Sequence, residues 1–292
     1  MKINKIITLA NEKVRLQFLG MERSLRAAGC TLPVKVIPYD DNLFDLPVNS
    51  SWWKDDGFCA WIDSAGSKPV MRKYQALLAN NYLFVDSDIV FLKNPQDALG
   101  SVEGFITSCC HWHNPGHTTT QQVVDLLAKN TTTWQKGIFN SGQFACGKQL
   151  YTLDRLKEIA HSHWACDTVL KHPFHEQPGM NLLVHAADIA VVNLTLPPHL
   201  MESTWAGDYG EDFERYWADD TRRPWLIHWA GRKMNGQVAI DELFLQYLSE
   251  NERSAYIAVD QNCRPPQGGS IQFARKILRA AKSFFKEFRS AK

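Results

Sequence analysis

Apolar and polar positions divide the chain into short strands and helices from its start. Ile3, Ile6, Ile7 and Leu9 form an apolar opening of strand character, and Val14, Phe18, Met21 and Leu25 recur at helical spacing until Gly29 stops the pattern. Val34-Lys35-Val36-Ile37 returns as a second strand, so the first forty residues read as a βαβ unit, the start of a mostly parallel sheet. Pro69 opens a second helical stretch that feeds into the apolar run 83–92. Further strand candidates lie at 104–108, 137–139 and 189–192, with helical patterns at about 150–162, 176–186 and 239–250. The expected class is α/β, with no internal repeat.

Two segments depart from this rhythm. Residues 202–220 hold seven acids together with Trp205, Tyr209, Phe213, Tyr216 and Trp217 without a clear period, and read as an excursion over a site, a lid or acceptor platform. After Arg264-Pro265-Pro266-Gln267-Gly268-Gly269, helical steps of 100° place Phe273, Ile277, Ala281, Phe284, Phe285 and Phe288 on one face and Arg275, Arg279, Lys282, Lys286 and Arg289 on the other. That segregation predicts a C-terminal amphipathic helix lying on an anionic membrane surface. The expected organisation is a catalytic domain at 1–260, a linker at 261–270 and a basic tail at 271–292.

Composition sharpens this picture. The net charge of +1 over 292 residues conceals a tail, 271–292, with seven Lys/Arg and one Glu, a local +6 that leaves −5 for residues 1–270. A mildly acidic body has no electrostatic footprint for nucleic acid. Seven cysteines without a Cys-x-x-Cys pair, behind a start with no secretory apolar core, predict reduced thiols in a cytoplasmic protein. The sequons at Asn49, Asn130 and Asn193 are then chance matches.

The candidate chemistry lies within the run 83–92. Asp86 and Asp88 sit one residue apart in an apolar, strand-like setting, and burying such a pair unpartnered costs several kcal/mol per ion. The pair is therefore expected at the carboxyl end of a central strand, meeting a cation. Hard carboxylate oxygens suit Mg²⁺ or Mn²⁺, and a nearby imidazole tilts the preference toward Mn²⁺. His111, His113 and His117, beside Cys109 and Cys110, fit no standard zinc spacing and are expected to form a polar wall of an acceptor pocket.

Four ordered motifs carry a resemblance. Val85-Asp86-Ser87-Asp88 with Asn94-Pro95, then Phe139-Asn140-Ser141-Gly142, then Glu176-Gln177-x-x-x-Asn181, then Ile227-His228-Trp229-Ala230-Gly231-Arg232-Lys233 together resemble the nucleotide-sugar glycosyltransferases of GT-A fold, in particular the retaining enzymes of glycosyltransferase family 8. The likeness spans residues 3–233. Glu176 stands where that family has Asp, and one residue fewer separates Gly231 from Lys233 than the family pattern has.

The resemblance implies a metal-dependent transfer of a hexose from a nucleotide diphosphate sugar, UDP first and GDP second, to a saccharide or lipid-linked acceptor; the basic tail would hold such an enzyme at the cytoplasmic leaflet, close to a growing glycolipid or surface polysaccharide. It implies Asp86, Asp88 and His228 as ligands of Mn²⁺ or Mg²⁺, with Asp86 shared with the ribose. Thr8, Ala10, Asn11, Arg72, Ser87, Ser141, Gly142, Gly231 and Lys233 would bind the donor. Asn140 and Gln177 would hydrogen-bond the sugar, with Gln177 near the anomeric carbon; for Glu176 the resemblance leaves two readings open, a covalent nucleophile or attack from the leaving-group face with no protein nucleophile.

Two other classes fit parts of the sequence. A haloacid-dehalogenase-like phosphatase also uses a hydrophobic strand followed by Asp-x-Asp, although some eighty residues of βαβ structure precede the motif here and Asn140-Ser141-Gly142 and His228 would go unexplained. A catalytically silent sugar- or nucleotide-binding protein is the other.

Overall fold

The computed structural model describes residues 1–129, 134–172 and 175–262. Nine strands are found there: β1 (Lys5–Ala10), β2 (Val34–Pro38), β3 (Ser50–Trp52), β4 (Tyr82–Val85), β5 (Ile89–Phe91), β6 (Phe105–Thr107), β7 (Gln143–Cys146), β8 (Val191–Asn193) and β9 (Leu226–His228). Seven form one sheet in the order β3-β2-β1-β4-β7-β6-β8, and β5 and β9 form a separate antiparallel pair. All neighbours in the large sheet are parallel except those of β7, which runs against both β4 and β6.

Period-two alternation explains how both faces are filled. Ile7, Leu9, Phe84 and Phe144 point into one apolar cluster, whereas Ile6, Ala10, Leu83, Val85 and Ala145 point into the other. Helix Gln177–Ala186 belongs to the first layer and helix Arg15–Ala27 to the second. Phe84, Phe105, Phe139 and Phe144 are fully buried, each removing enough apolar surface from water to contribute roughly 2 kcal/mol.

The expected elements at 3–9, 14–25, 34–37, 104–108 and 189–192 all appear within a few residues. The helical stretch expected from Pro69 is also found, as the 3-10 helix Pro69–Leu78. One expectation is corrected. Residues 137–139 end a 3-10 turn, Trp134–Gly137, and the strand begins later, at Gln143, because Asn181 takes both backbone polar groups of Phe139, the N–H at 3.1 Å and the C=O at 2.9 Å. A backbone group satisfied by a side chain is not available to a sheet ladder.

The chain divides into two compact units, the first Met1–Leu248 and the second beginning at Ser249. Of the second, the helix Glu250–Asn262 is described; Ser249 and Glu252 form a reciprocal cap at its start. The expected amphipathic tail lies outside the described residues, as do residues 263–270 of the expected linker and Asn130; residues 261 and 262 instead close the helix Glu250–Asn262. No helix among the described residues is long and apolar enough to cross a membrane.

Candidate functional site

β4 is the central strand of the large sheet, and Asp86 and Asp88 lie in the short connection by which the chain leaves it for β5. Ser87, between them, is buried. This change of sheet brings both carboxylates to the carboxyl edge, where open α/β sheets bind ligands. Beyond β5, Asn94 accepts from the backbone N–H of Gln96 at 3.0 Å and Pro95 occupies the first helical turn, so the Asn-Pro pair starts the helix Pro95–Leu99.

β9 delivers the third group. Ile89 is in register with His228, and the Trp229 N–H donates to the Asp88 carbonyl at 3.0 Å. Trp229 is fully buried, with Nε1 donating to Asp241 Oδ1 at 2.9 Å, which anchors the chain just past His228. His228 Nε2 consequently lies 3.2 Å from Asp88 Oδ1 and 3.9 Å from Asp86 Oδ2. One ligand atom from each of the three residues falls within 4.8 Å of the others. Two carboxylates and one imidazole at that separation fit a small, hard divalent cation such as Mg²⁺ or Mn²⁺.

A fourth charged group enters from the 3-10 helix. Lys73 Nζ lies 2.8 Å from Asp86 Oδ1 and 2.5 Å from Glu176 Oε1, and it is almost wholly buried. Glu176 also accepts from Ser141 Oγ at 2.6 Å. Burial opposes charge on Lys73, but Asp86 and Glu176 outweigh it and hold the ammonium above its ordinary range. Burial likewise opposes charge on Glu176, yet Lys73 and Ser141 keep its carboxyl below the usual value.

The acidic pair divides. Burial and the neighbouring Asp88 push Asp86 up, with Lys73 acting against them; for Asp88 burial is outweighed by His228, which draws it down. His228 is held above its ordinary range by Asp88 in spite of burial.

The loop 139–142 is clamped to the helix Gln177–Ala186. Asn181 holds Phe139, Gln177 Oε1 accepts from the Ser141 N–H at 3.2 Å, and Asn140 Oδ1 accepts from the Gly142 N–H at 2.8 Å. The Asp86 N–H donates to the Gly142 carbonyl at 2.7 Å, which ties this loop to the acidic turn.

Beside these groups opens a cavity of about 520 Å³, whose lining includes Asn140, Gln177, His228 and Gly231 together with Cys109, Cys110, His111, His117 and Trp205. Gly231 turns with φ +71°, and Lys233 is exposed two residues later. Glu176 does not line the cavity. Thr8, Ala10 and Asn11 stand at the end of β1 and also lie off its lining. Thr8 Oγ1 is buried with no hydrogen-bond partner among the described residues, and Asn11 donates to Asp40 at 2.8 Å.

Arg72 is elsewhere engaged: its guanidinium contacts both Asp63 oxygens, at 3.1 and 3.2 Å, and the Pro38 carbonyl at 3.1 Å. The cation that faces the acidic turn is its neighbour Lys73, which the sequence reading missed. The one signal available was its position thirteen residues before Asp86, and that does not separate it from Arg72.

No family model matches the sequence, and no curated protein matches it. Solved structures do. The bifunctional glycosyltransferase WbbM in its apo form superimposes with a TM-score of 0.57 at 14% identity, covering 85% of this chain and 50% of that one. An active-site mutant of LgtC superimposes with a TM-score of 0.54 at 11% identity, covering 85% of this chain and 99% of that one. This chain thus spans about half the length of the WbbM chain and nearly all of the LgtC chain. It has the GT-A fold of these two proteins.

Proposed function

We propose that this protein is a metal-dependent glycosyltransferase that moves a hexose from a nucleoside diphosphate sugar, UDP-linked before GDP-linked, to a saccharide or lipid-linked acceptor. The observation that carries the reading is the convergence of Asp86, Asp88 and His228 beside a 520 Å³ cavity in a glycosyltransferase fold. These three residues would hold Mn²⁺ or Mg²⁺, and such an ion offsets the negative charge that grows on a leaving diphosphate.

The remaining roles belong to the chain's own groups. Lys73 supplies a fixed positive charge beside Asp86, held there by Glu176. Gln177 and Asn140, on the cavity wall, each present an amide NH₂ to a sugar while their oxygens hold the backbone of the loop 139–142. Gly231 and Lys233 follow the His228 strand, where the family-8 resemblance puts contacts to the diphosphate. Thr8, Ala10, Asn11 and Ser87 occupy the carboxyl edge of the sheet, where the base and ribose would lie.

Glu176 is the residue whose role the resemblance leaves open. A carboxylate already bound to Lys73 and Ser141, off the cavity lining, favours attack from the leaving-group face over a covalent glycosyl-enzyme. The retaining outcome itself rests on the resemblance to family 8, and peripheral attachment at a cytoplasmic membrane face rests on the charge pattern of residues 271–292.

A thermal-shift screen of nucleotide sugars with and without Mn²⁺ tests the reading, because a ligand that binds only the native state raises its stability with the logarithm of its concentration over its Kd. The expected result is a shift from one nucleotide sugar only when Mn²⁺ is present. Shifts that ignore the metal, or turnover of a simple phosphate monoester, would overturn it.

A further inference from the structure

Beyond His228 the cavity continues along a wall that the acidic turn does not use, formed by Ser108–His111, His117 and Ser203–Trp205. The residues lining the cavity are Ser, Thr, Cys, Asn, Gln, His, Trp, Ala and Gly, with no Lys, Arg, Asp or Glu among those described. Such a surface offers hydrogen bonds and one aromatic ring in place of a counter-charge. It suits hydroxyl groups better than phosphates or carboxylates.

Two imidazoles on this wall differ in what they leave available. His117 has both nitrogens engaged, Nε2 with Cys109 Sγ at 3.4 Å and Nδ1 with the Asn114 carbonyl. His111 has one: Nε2 lies 3.1 Å from Asp208 Oδ1, while no described residue hydrogen-bonds Nδ1. A carboxylate beside Nε2 favours the tautomer with its proton there, which leaves the Nδ1 lone pair as an acceptor.

The arrangement is braced on both sides. The Ser203 hydroxyl donates to the second Asp208 oxygen, and Trp205 stands edge-on to His111 at 5.3 Å and 85°. Trp205 is itself fixed by Nε1 donating to the Ala230 carbonyl at 3.1 Å and by packing on Gly207, where a Cβ would come within 2.4 Å of the indole.

We propose that His111, oriented by Asp208 and flanked by Trp205, recognises a hydroxyl of an uncharged saccharide acceptor. This names the acceptor class for the glycosyltransferase reading and rests on it. His111 binds the acceptor through Nδ1, and Asp208 acts through His111 as a positioning residue.

The test uses the full chain with Mn²⁺ and its nucleotide-sugar donor, and measures donor hydrolysis and glycosyl transfer separately. The acceptors are a panel of uncharged methyl glycosides and the corresponding 6-phosphates. In His111→Ala, kcat/KM for transfer should fall about tenfold further than hydrolysis does, mainly through acceptor KM, as expected for the loss of one hydrogen bond. Asp208→Asn should give a smaller shift in the same direction. His111→Gln, whose amide oxygen can still accept, should recover part of the transfer.

Proportional loss of hydrolysis and transfer in His111→Ala, or unchanged transfer, would overturn the assignment. Preference for a phosphorylated glycoside, or hydrolysis without transfer to any uncharged glycoside, would overturn the acceptor class. A wild-type chain that neither hydrolyses any nucleotide sugar nor transfers from one would overturn the glycosyltransferase reading itself, and this proposal with it.

Discussion

Gly142 lies directly against the imidazole of His228. A Cβ at position 142 would stand 2.0 Å from Cε1 and 2.7 Å from Nε2 of that ring, nearer than atoms can approach. Neither side can easily give way: the ring is 5% exposed, and the loop carrying Gly142 is pinned through Asn140, Ser141 and Asn181. The glycine that the motif places near a donor sugar has a nearer duty, leaving room for the third residue of the candidate metal site.

Gly142→Ala should therefore act as a remote loss of His228. The expected outcome is a folded protein whose Mn²⁺-induced thermal shift is reduced to that of His228→Ala. An unaltered metal response would show that the ring can move aside without consequence.

Asp88→Asn and His228→Ala each remove one of three ligand groups that lie within 4.8 Å. Metal-dependent donor hydrolysis should fall on the order of 100-fold or more in either variant, in keeping with the loss of one strong electrostatic contact to a developing charge. Steady-state assays across a Mn²⁺ titration check this, and full activity in His228→Ala would remove it from the site.

Adjacent cations should separate cleanly. Arg72 is bound to Asp63 and the Pro38 carbonyl, so Arg72→Ala should lower thermal stability with donor turnover largely kept. Lys73 faces Asp86 and Glu176, so Lys73→Met should abolish turnover even where the fold survives. Comparing kcat/KM with melting temperature for the two variants reads the split.

Glu176→Gln breaks a buried ion pair while keeping the side chain's shape, and should cost about 3 kcal/mol near neutral pH. The sign of its pH dependence follows from the shifts. Glu176 is held below its ordinary value of 4.5, mainly by Lys73 against the effect of burial, so its contribution is present above about pH 4.5 and is lost as pH falls through the depressed value. Lys73 is held above its ordinary 10.5, so its share persists up to that pH and is lost only on further rise. Denaturation midpoints of wild type and Glu176→Gln should thus differ between pH 5 and 10 and converge in acid. Intact-mass analysis of the wild type during turnover should show no glycosyl adduct on Glu176.

The basic tail gives a prediction of its own. Removing residues 271–292 deletes a local charge of +6 and should release the protein from anionic vesicles while donor hydrolysis continues. Co-sedimentation with vesicles of graded phosphatidylserine content measures it, and retained binding would contradict the tail's proposed role.

Much of the scaffold was legible in the sequence because it rests on near neighbours. Alternation at Ile6 and Ile7 and the helical spacing of Val14, Phe18 and Met21 reflect which face each side chain must bury, and Gly29, at φ +83°, ends the helix as its freedom allows. Asp86 and Asp88 stood out for a similar reason, since two carboxylates between apolar strands require a partner.

Which partners they meet was settled only by tertiary structure. Lys73 and Arg72 leave the 3-10 helix Pro69–Leu78 in different directions, Lys73 to Asp86 and Glu176 and Arg72 to Asp63 and the Pro38 carbonyl. His228 reaches Asp88 through the β5–β9 register, and His111 meets Asp208 across two segments far apart in the chain. Sequence alone determined that a buried carboxylate pair at a strand end needs positive charge, because desolvation is a local cost. The fold decided that Lys73 and His228 supply it, because strand register and helical phase fix distances that spacing along the chain does not encode.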